Sequence, residues 1–560
     1  MAKAKSKKDQ PVNPGYGLRG RVVSMKSEAE VFKNATVYVQ GNKIAAIVKS
    51  GEPVPDALKK VPVYDTQGTM FPGMIELHNH LSYNCLPLWP VPKKFTNRDQ
   101  WAGIDLYRNL ISGPMGILGK TPGYVEAIVR YVEGKCLVAG VTTSQGVMLF
   151  SNAGIRTFYQ GLVRNVESPG NPDLKKVDGH IPDIASKDAI HFLGQLKKAS
   201  CLLLHLSEGT DDSAHKHFNS LQISGDSWAI TDTLAGIHCV ALKREDFNRM
   251  KEHGASMVWS PLSNLMLYGA TADIAAAKAS GITIGLGSDW SPSGSKNLLG
   301  ELKTAKIYSD QNGKIFSDFQ LISMATFNAA KIIKWDQHIG TLEAGKLADL
   351  LIVDGVKGDA FGQLLHASEK DLSLVVINGT PRCGSPVLMK KFGKTSENIK
   401  IGGKTKALNL VEETENPVVG KLKLSDASDK LLKALKDLKS ISKKTPPLKK
   451  VTGPDNTSYF VPESFGTTNN ITGKNSKKKA FVLVLDHDAE EGEEIRLRLP
   501  QNGTGNMLND EKKGITKPDR DIPSITLDPL CVANDKNYFK TLGSSPNLPA
   551  YIKTGLKKYY

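Results

Sequence analysis

The sequence predicts an α/β protein built on a parallel (β/α)8 barrel of the TIM type, with β-rich segments on both flanks and a further region appended at the C-terminus. Three observations carry this reading. Short apolar runs alternate with longer segments of helical period over about 260 residues, a length that suits a closed barrel better than an open doubly wound sheet. Runs rich in β-branched residues stand before and after that stretch, so the two flanks can pair into one small domain. Beyond residue 400 the composition shifts towards Lys, Pro, Asn and Ser.

Taken in order, residues 1–15 are basic, carry Pro and Gly, and read as a loose arm. Residues 16–70 contain LRGRVVSM, ATVYVQ and KIAAIVKS, separated by turn residues, and read as antiparallel strands. Residues 71–337 form the barrel, its strand ends marked by MIEL, GVTTSQG, CLLLHLSE, GIHCVAL, SMVWSP and ITIGLGSD. Residues 338–400 return to strands in ADLLIVDG, LSLVVINGT and PVLM. Residues 401–560 form the appended region. Within it KLLKALKDLKSI (430–441) predicts an amphipathic helix, 442–479 a solvated linker, KAFVLVLDHD and EEIRLRLP two strands, and 534–560 one or two short helices.

At 560 residues, 40% hydrophobic and 23% charged, the chain exceeds the roughly 250–300 residues at which one core stops growing and excludes collagen-like or wholly disordered classes. No apolar run approaches the roughly 20 residues that cross a bilayer, and MAKAKSKKDQ lacks the apolar stretch of a secretory signal, so a cytoplasmic protein without membrane contact is expected. Six cysteines without a CxxC pair read as reduced, buried fillers. The net charge of +16 is densest beyond residue 400, but aromatics are not interleaved with the Lys runs as a nucleic-acid platform requires. No nucleic-acid partner is expected.

The chemistry gathers at strand ends. His78 and His80, in HNH after the first barrel-type strand, can face one side and share a metal ion. His205 closes CLLLH, His238 closes LAGIH, and Asp289 closes ITIGLGSD, the carboxyl ends at which barrel enzymes keep their sites. Three imidazoles and a carboxylate suit Zn²⁺ or Fe²⁺ with water still bound. Glu208, just beyond His205, is placed to move a proton between water and a leaving nitrogen.

FPGMIELHNH, GVTTSQG, HLSE, GIHC, SPLSN, GLGSDWSPSGS and GTLEAGKLADLLIVD, in this order, resemble the amidohydrolase superfamily, in particular the branch with cytosine deaminase, guanine deaminase and the triazine hydrolases. The resemblance implies a barrel with a β-sandwich built from both flanks. It makes His78, His80, His205 and Asp289 the metal ligands, Glu208 the proton shuttle, His238 the hydrogen-bond partner of the attacking hydroxide, and Asp289 a second proton acceptor. The reaction implied is hydrolysis of C–N bonds by metal-bound hydroxide, a deamination or a ring-amide hydrolysis. An imidazolone- or peptidase-like amidohydrolase and a non-catalytic barrel with a basic binding tail are the alternatives. GIRTFYQGLVRNVE lacks the lysine that binuclear relatives carboxylate, so one divalent ion is implied, Zn first and Fe second. Trp259 stands where several triazine-type relatives carry His. By analogy the chain is expected to pair as a homodimer.

Asn84, Trp89, Arg156, Asn264 and Trp290 neighbour these motifs and are candidates to stack on a planar small-molecule substrate or bind its polar edge. His215 and His217 form a second HxH in a polar segment and are expected to face solvent. The acidic run at 486–494 reads as a charged turn.

Overall fold

The computed structural model describes residues 15–393 except 153 and 155, together with 395–411, 419–452, 458–463, 465, 480–485 and 522–560. The N-terminal arm, the second strand EEIRLRLP and the acidic run therefore lie outside the described residues, apart from Gly15 at the arm's end.

The two β-flanks meet. Leu350–Asp354 lies antiparallel along Val63–Pro72, with Leu350 opposite Pro72 and Ile352 opposite Met70. The result is one continuous nine-stranded sheet in the order Glu397–Ile401, Lys404–Leu408, Thr380–Gly384, Leu372–Ile377, Leu350–Asp354, Val63–Pro72, Tyr16–Val23, Val31–Gln40, Lys43–Lys49. Hydrogen bonding joins the flanks into a single sheet, in which, against expectation, Tyr16–Val23 pairs parallel with Val63–Pro72. The sheet also runs past residue 400 to Leu408. Leu18, Val37, Met70, Ile352 and Leu374 fill its core, where their burial supplies the cohesion.

The central stretch forms two arcs of parallel strands. Met74–Glu76, Val141–Ser144 and Arg164–Asn165 make the first. Asp178–His180, Leu202–Leu206, Leu234–His238, Ser256–Trp259 and Thr283–Leu286 make the second. Hydrogen bonds connect the arcs at both seams: Val177 N–H to Val166 O at 3.0 Å, and Asp289 N–H to His78 O at 2.9 Å followed by His80 N–H to Asp289 O at 2.7 Å. Helices Val125–Val138, Ala189–Leu196, Asp212–Asn219, Arg244–Glu252, Ile274–Ser280 and Leu298–Gln311 alternate with the strands.

The C-terminal residues pack on this body. Leu424–Lys436 buries Leu424, Ala427, Leu431 and Leu435, and a Cβ on Gly134 of helix Val125–Val138 would meet Leu424 Cδ1 at 2.7 Å. The predicted 430–441 helix begins earlier and breaks at Asp437, where Leu438–Ser442 starts. The linker expected at 442–479 contains an antiparallel strand pair, Leu448–Thr452 with Ser458–Pro462. Phe481–Leu483 adds to Met148–Ser151 as an antiparallel strand. Helices Tyr538–Ser544 and Ala550–Lys557 end the chain. All six cysteines are buried and unpaired.

Candidate metal centre and proton-transfer site

The first barrel strand is short, and His78 and His80 follow it in the turn that leads to Leu81–Cys85. His205 lies inside Leu202–Leu206 and His238 ends Leu234–His238. His238 and Asp289 both take the left-handed backbone region, at φ 67° and 64°, as does Ser207 at 52°. Non-glycine residues adopt it at a cost of about 1–3 kcal/mol, which the surrounding packing offsets. The sharp turns swing these side chains towards a common point.

The five groups do converge. His78 Nε2 lies 3.0 Å and His80 Nε2 3.3 Å from Asp289 Oδ1. His205 Nε2 stands 3.3 Å from His80 Nε2. The His78 ring centroid is 4.7 Å from that of His205 and 4.9 Å from that of His238. Within each of two sets, His78, His80 and Asp289, and His78, His205 and His238, the donor atoms lie within 4.8 Å of one another. His78 is fully buried, with its Nε2 directed at the Asp289 carboxylate. An imidazole so placed beside a carboxylate and two more imidazoles fits a divalent cation with mixed N and O donors.

Electrostatics agree with that donor set. Burial holds His205 and His238 well below the ordinary histidine range, with the neighbouring imidazoles adding to the effect on His205. Burial thus favours the neutral imidazole, the form that can ligate a metal. Burial works against ionisation of Asp289, but His78 beside it and the bonds from His78 and His80 prevail and keep it an anion. Burial, with Asp289 nearby, pushes the Glu208 carboxyl up to about 8. Its Oε2 is 3.7 Å from His238 Nε2, and its Oε1 accepts from Tyr268 OH at 2.8 Å.

Several supports escaped sequence reasoning. Glu76 is buried and accepts from Ser288 N–H at 2.9 Å and from Ser288 Oγ–H at 2.6 Å, tying the His78 loop to the Asp289 loop. Ser263 Oγ donates to Asp289 Oδ2 at 2.5 Å. Trp101 Nε1 donates to Tyr268 OH at 2.9 Å. Glu76, Ser288 and Ser263 fall inside the motifs FPGMIELHNH, GLGSDWSPSGS and SPLSN, whereas Trp101 and Tyr268 carried no sequence signal.

The substrate-side candidates divide. Trp290 sits beside the centre, its ring 5.4 Å from His80 and 5.3 Å from Tyr83, and its Nε1 bonds Ser293 Oγ. Trp89 is buried against Tyr107 at 5.9 Å, one layer further out. Asn84 spends its amide on the protein, donating to Asn79 Oδ1 at 2.9 Å and accepting from Ser291 N–H at 2.7 Å. Asn264 Nδ2 faces His238 Nδ1 at 2.9 Å. Arg156 stands apart, exposed on the strand Arg156–Phe158. His215 and His217 are not solvated as expected. On helix Asp212–Asn219 they turn onto the carboxylates of Asp246 (2.8 Å) and Asp183 (3.0 Å) and are half-buried, because the helical period separates them to two neighbours.

Parallel strands carrying a buried His/Asp cluster at their carboxyl ends define a metal-dependent hydrolase on an α/β barrel. The model of the amidohydrolase family matches residues 69–381, and the chain belongs to that family. Among curated proteins it is 26% identical over 400 residues to a 5-methylthioadenosine/S-adenosylhomocysteine deaminase of Thermoanaerobacter pseudethanolicus, covering 64% of this chain and 91% of that one. It is 24% identical over 377 residues to a 5'-deoxyadenosine deaminase of Methanosarcina mazei, covering 60% and 82%. The crystal structure of a zinc-bound adenosine deaminase from Xanthomonas campestris superposes with a TM-score of 0.51 at 17% identity, covering 66% and 92%, which supports the TIM-barrel fold. The protein is a metal-dependent hydrolase of C–N bonds in the deaminase-like branch. Among the described residues no helix is long and apolar enough to cross a membrane.

Proposed function

We propose that His78, His80, His205 and Asp289 hold one divalent cation, Zn²⁺ in first place and Fe²⁺ in second, and that the protein deaminates an adenine-type nucleoside at the amidine carbon of its ring. The observation that carries this is the convergence of buried His78 with His80, His205, His238 and Asp289, beside a Glu208 carboxyl that burial raises and that stands 3.7 Å from His238. A bound cation of this kind lowers the pKa of coordinated water towards about 7. Glu208 accepts a proton from water and returns it to the ring or leaving nitrogen, so that water adds at carbon and ammonia departs. His238 donates from Nε2 to the oxygen that develops charge, and Ser263 holds Asp289 in place. Trp290 offers a face to a planar base. The names of the curated relatives, all adenosine-derived for the two cited, support the substrate class. The same reading treats the nine-stranded sheet as one domain, the two arcs as a closed barrel, and the chain as a homodimer.

The test joins metal analysis to ammonia release from 5-methylthioadenosine and 5'-deoxyadenosine. Purified protein is expected to carry about one metal per chain, and His78→Ala or Asp289→Ala to lose it. Metal-free protein with intact ligands, or metal-loaded protein that releases no ammonia from either nucleoside, would count against the respective half of the proposal.

A further inference from the structure

Trp259 ends the strand Ser256–Trp259, and its indole is fully buried against Tyr308 and Phe316. Nε1 donates to Thr271 Oγ1 at 2.7 Å. An indole N–H can only donate, so it takes a lone pair of the hydroxyl and directs the hydroxyl proton onward. Thr271 Oγ1 in turn donates to Asn264 Oδ1 at 3.3 Å. With its oxygen so engaged, Asn264 presents its NH2 group to His238 Nδ1 at 2.9 Å. A neutral imidazole facing a donor at Nδ1 carries its own proton on Nε2, the nitrogen that looks towards Glu208.

We propose that Trp259, Thr271 and Asn264 form a directional hydrogen-bond chain that locks His238 in the Nε2–H tautomer, making it a donor to the reacting oxygen and barring it from the metal. Trp259 and Thr271 are positioning residues that act through Asn264. The inference rests on the proposed role of His238 and selects between the two donor sets around His78: His238 stays outside the ligand sphere although its nitrogen is within reach. Its physical basis is that one donor-only group at the far end fixes the orientation of three groups whose roles are otherwise reversible.

The decisive measurement is the tautomer itself, read from two-bond ¹⁵N–¹H correlations of histidine-labelled, zinc-loaded protein, with His238 assigned by the loss of its signals in His238→Gln. Wild type is expected to show Nε2–H. Thr271→Val, which keeps the side-chain shape and removes the hydroxyl, is expected to show Nδ1–H or a mixture, and Thr271→Ser to restore Nε2–H. Trp259→Phe provides a second break in the chain should the valine variant fold poorly. In ammonia release from 5-methylthioadenosine, Thr271→Val is expected to lower kcat by roughly 10–100-fold with KM and zinc content near wild type. An Nδ1–H tautomer in wild type, or an unaltered tautomer in Thr271→Val, overturns the proposal. Absence of ammonia release from wild type would remove the substrate reading and leave the tautomer result standing.

Discussion

Glu208 shows how one carboxyl is adjusted from two sides. Burial raises it, and the Tyr268 hydroxyl, itself anchored by Trp101, opposes the rise by donating to the ionised form. Glu208→Gln is expected to retain metal while losing roughly 10²–10⁴ in kcat, measured with metal content in parallel. Tyr268→Phe removes a donor from the carboxylate, so the Glu208 pKa rises further. Because Glu208 must be ionised to accept the proton from water, the acid limb of the kcat/KM profile is expected to move to higher pH; an unmoved limb would show that Tyr268 only packs. His78, His205, His238 and Asp289 were legible in the sequence because each stands at the end of an apolar run, and His80 and Glu208 follow closely after. Tyr268 and Trp101 were not, since their roles depend on contacts across 60 and 167 positions that no local pattern encodes.

At the scale of elements, one short helix organises the centre. Pro261–Tyr268 begins with Pro at its first turn, is buried along its whole length, and presents Ser263 to Asp289, Asn264 to His238 and Tyr268 to Glu208. SPLSN thus reads as support for the site, and Asn264 serves His238. The facing strand end needs glycine for a different reason. A Cβ on Gly287 would lie 2.4 Å from His78 Cβ and 2.9 Å from its backbone nitrogen. Backbone cannot yield as a side-chain tip can, so Gly287→Ala is expected to displace His78 and weaken zinc affinity by 10-fold or more, checked by competition with a chromophoric chelator. The GLGSD motif was visible in the sequence, yet the need for its second glycine became clear only once the His78 strand lay against it.

Across the whole molecule the region beyond residue 400 is tied into the catalytic body. Asp528 is fully buried, with its carboxylate bonded to Lys135 of helix Val125–Val138 and to Lys296 beyond the Asp289 loop. Its N–H donates to Cys85 O at 3.0 Å, and Lys135 also reaches Asn84 O at 2.9 Å and Ser291 Oγ at 2.7 Å. One carboxylate from the C-terminal segment therefore bridges two buried ammonium groups directly behind the loops that carry His80 and Asp289, and Asp535 adds a second carboxylate to Lys296 at 2.9 Å. The Lys-rich composition of this region gave no sign of the contact, because the decisive residue is a single Asp some 390 positions from its partner. Removing one partner of a buried charge cluster typically costs about 3–5 kcal/mol, because the remaining charges are left uncompensated. Asp528→Asn is accordingly expected to lower the denaturation midpoint by an amount equivalent to about 3–5 kcal/mol and to weaken metal binding, because Lys135 also holds Asn84 and Ser291. The double change Asp528→Asn, Lys135→Met removes the ammonium left unpaired while Lys296 keeps Asp535, and is expected to recover most of the lost stability. If Asp528→Asn unfolds at the wild-type midpoint, the C-terminal segment is only a cover, and the barrel holds its metal loops without it.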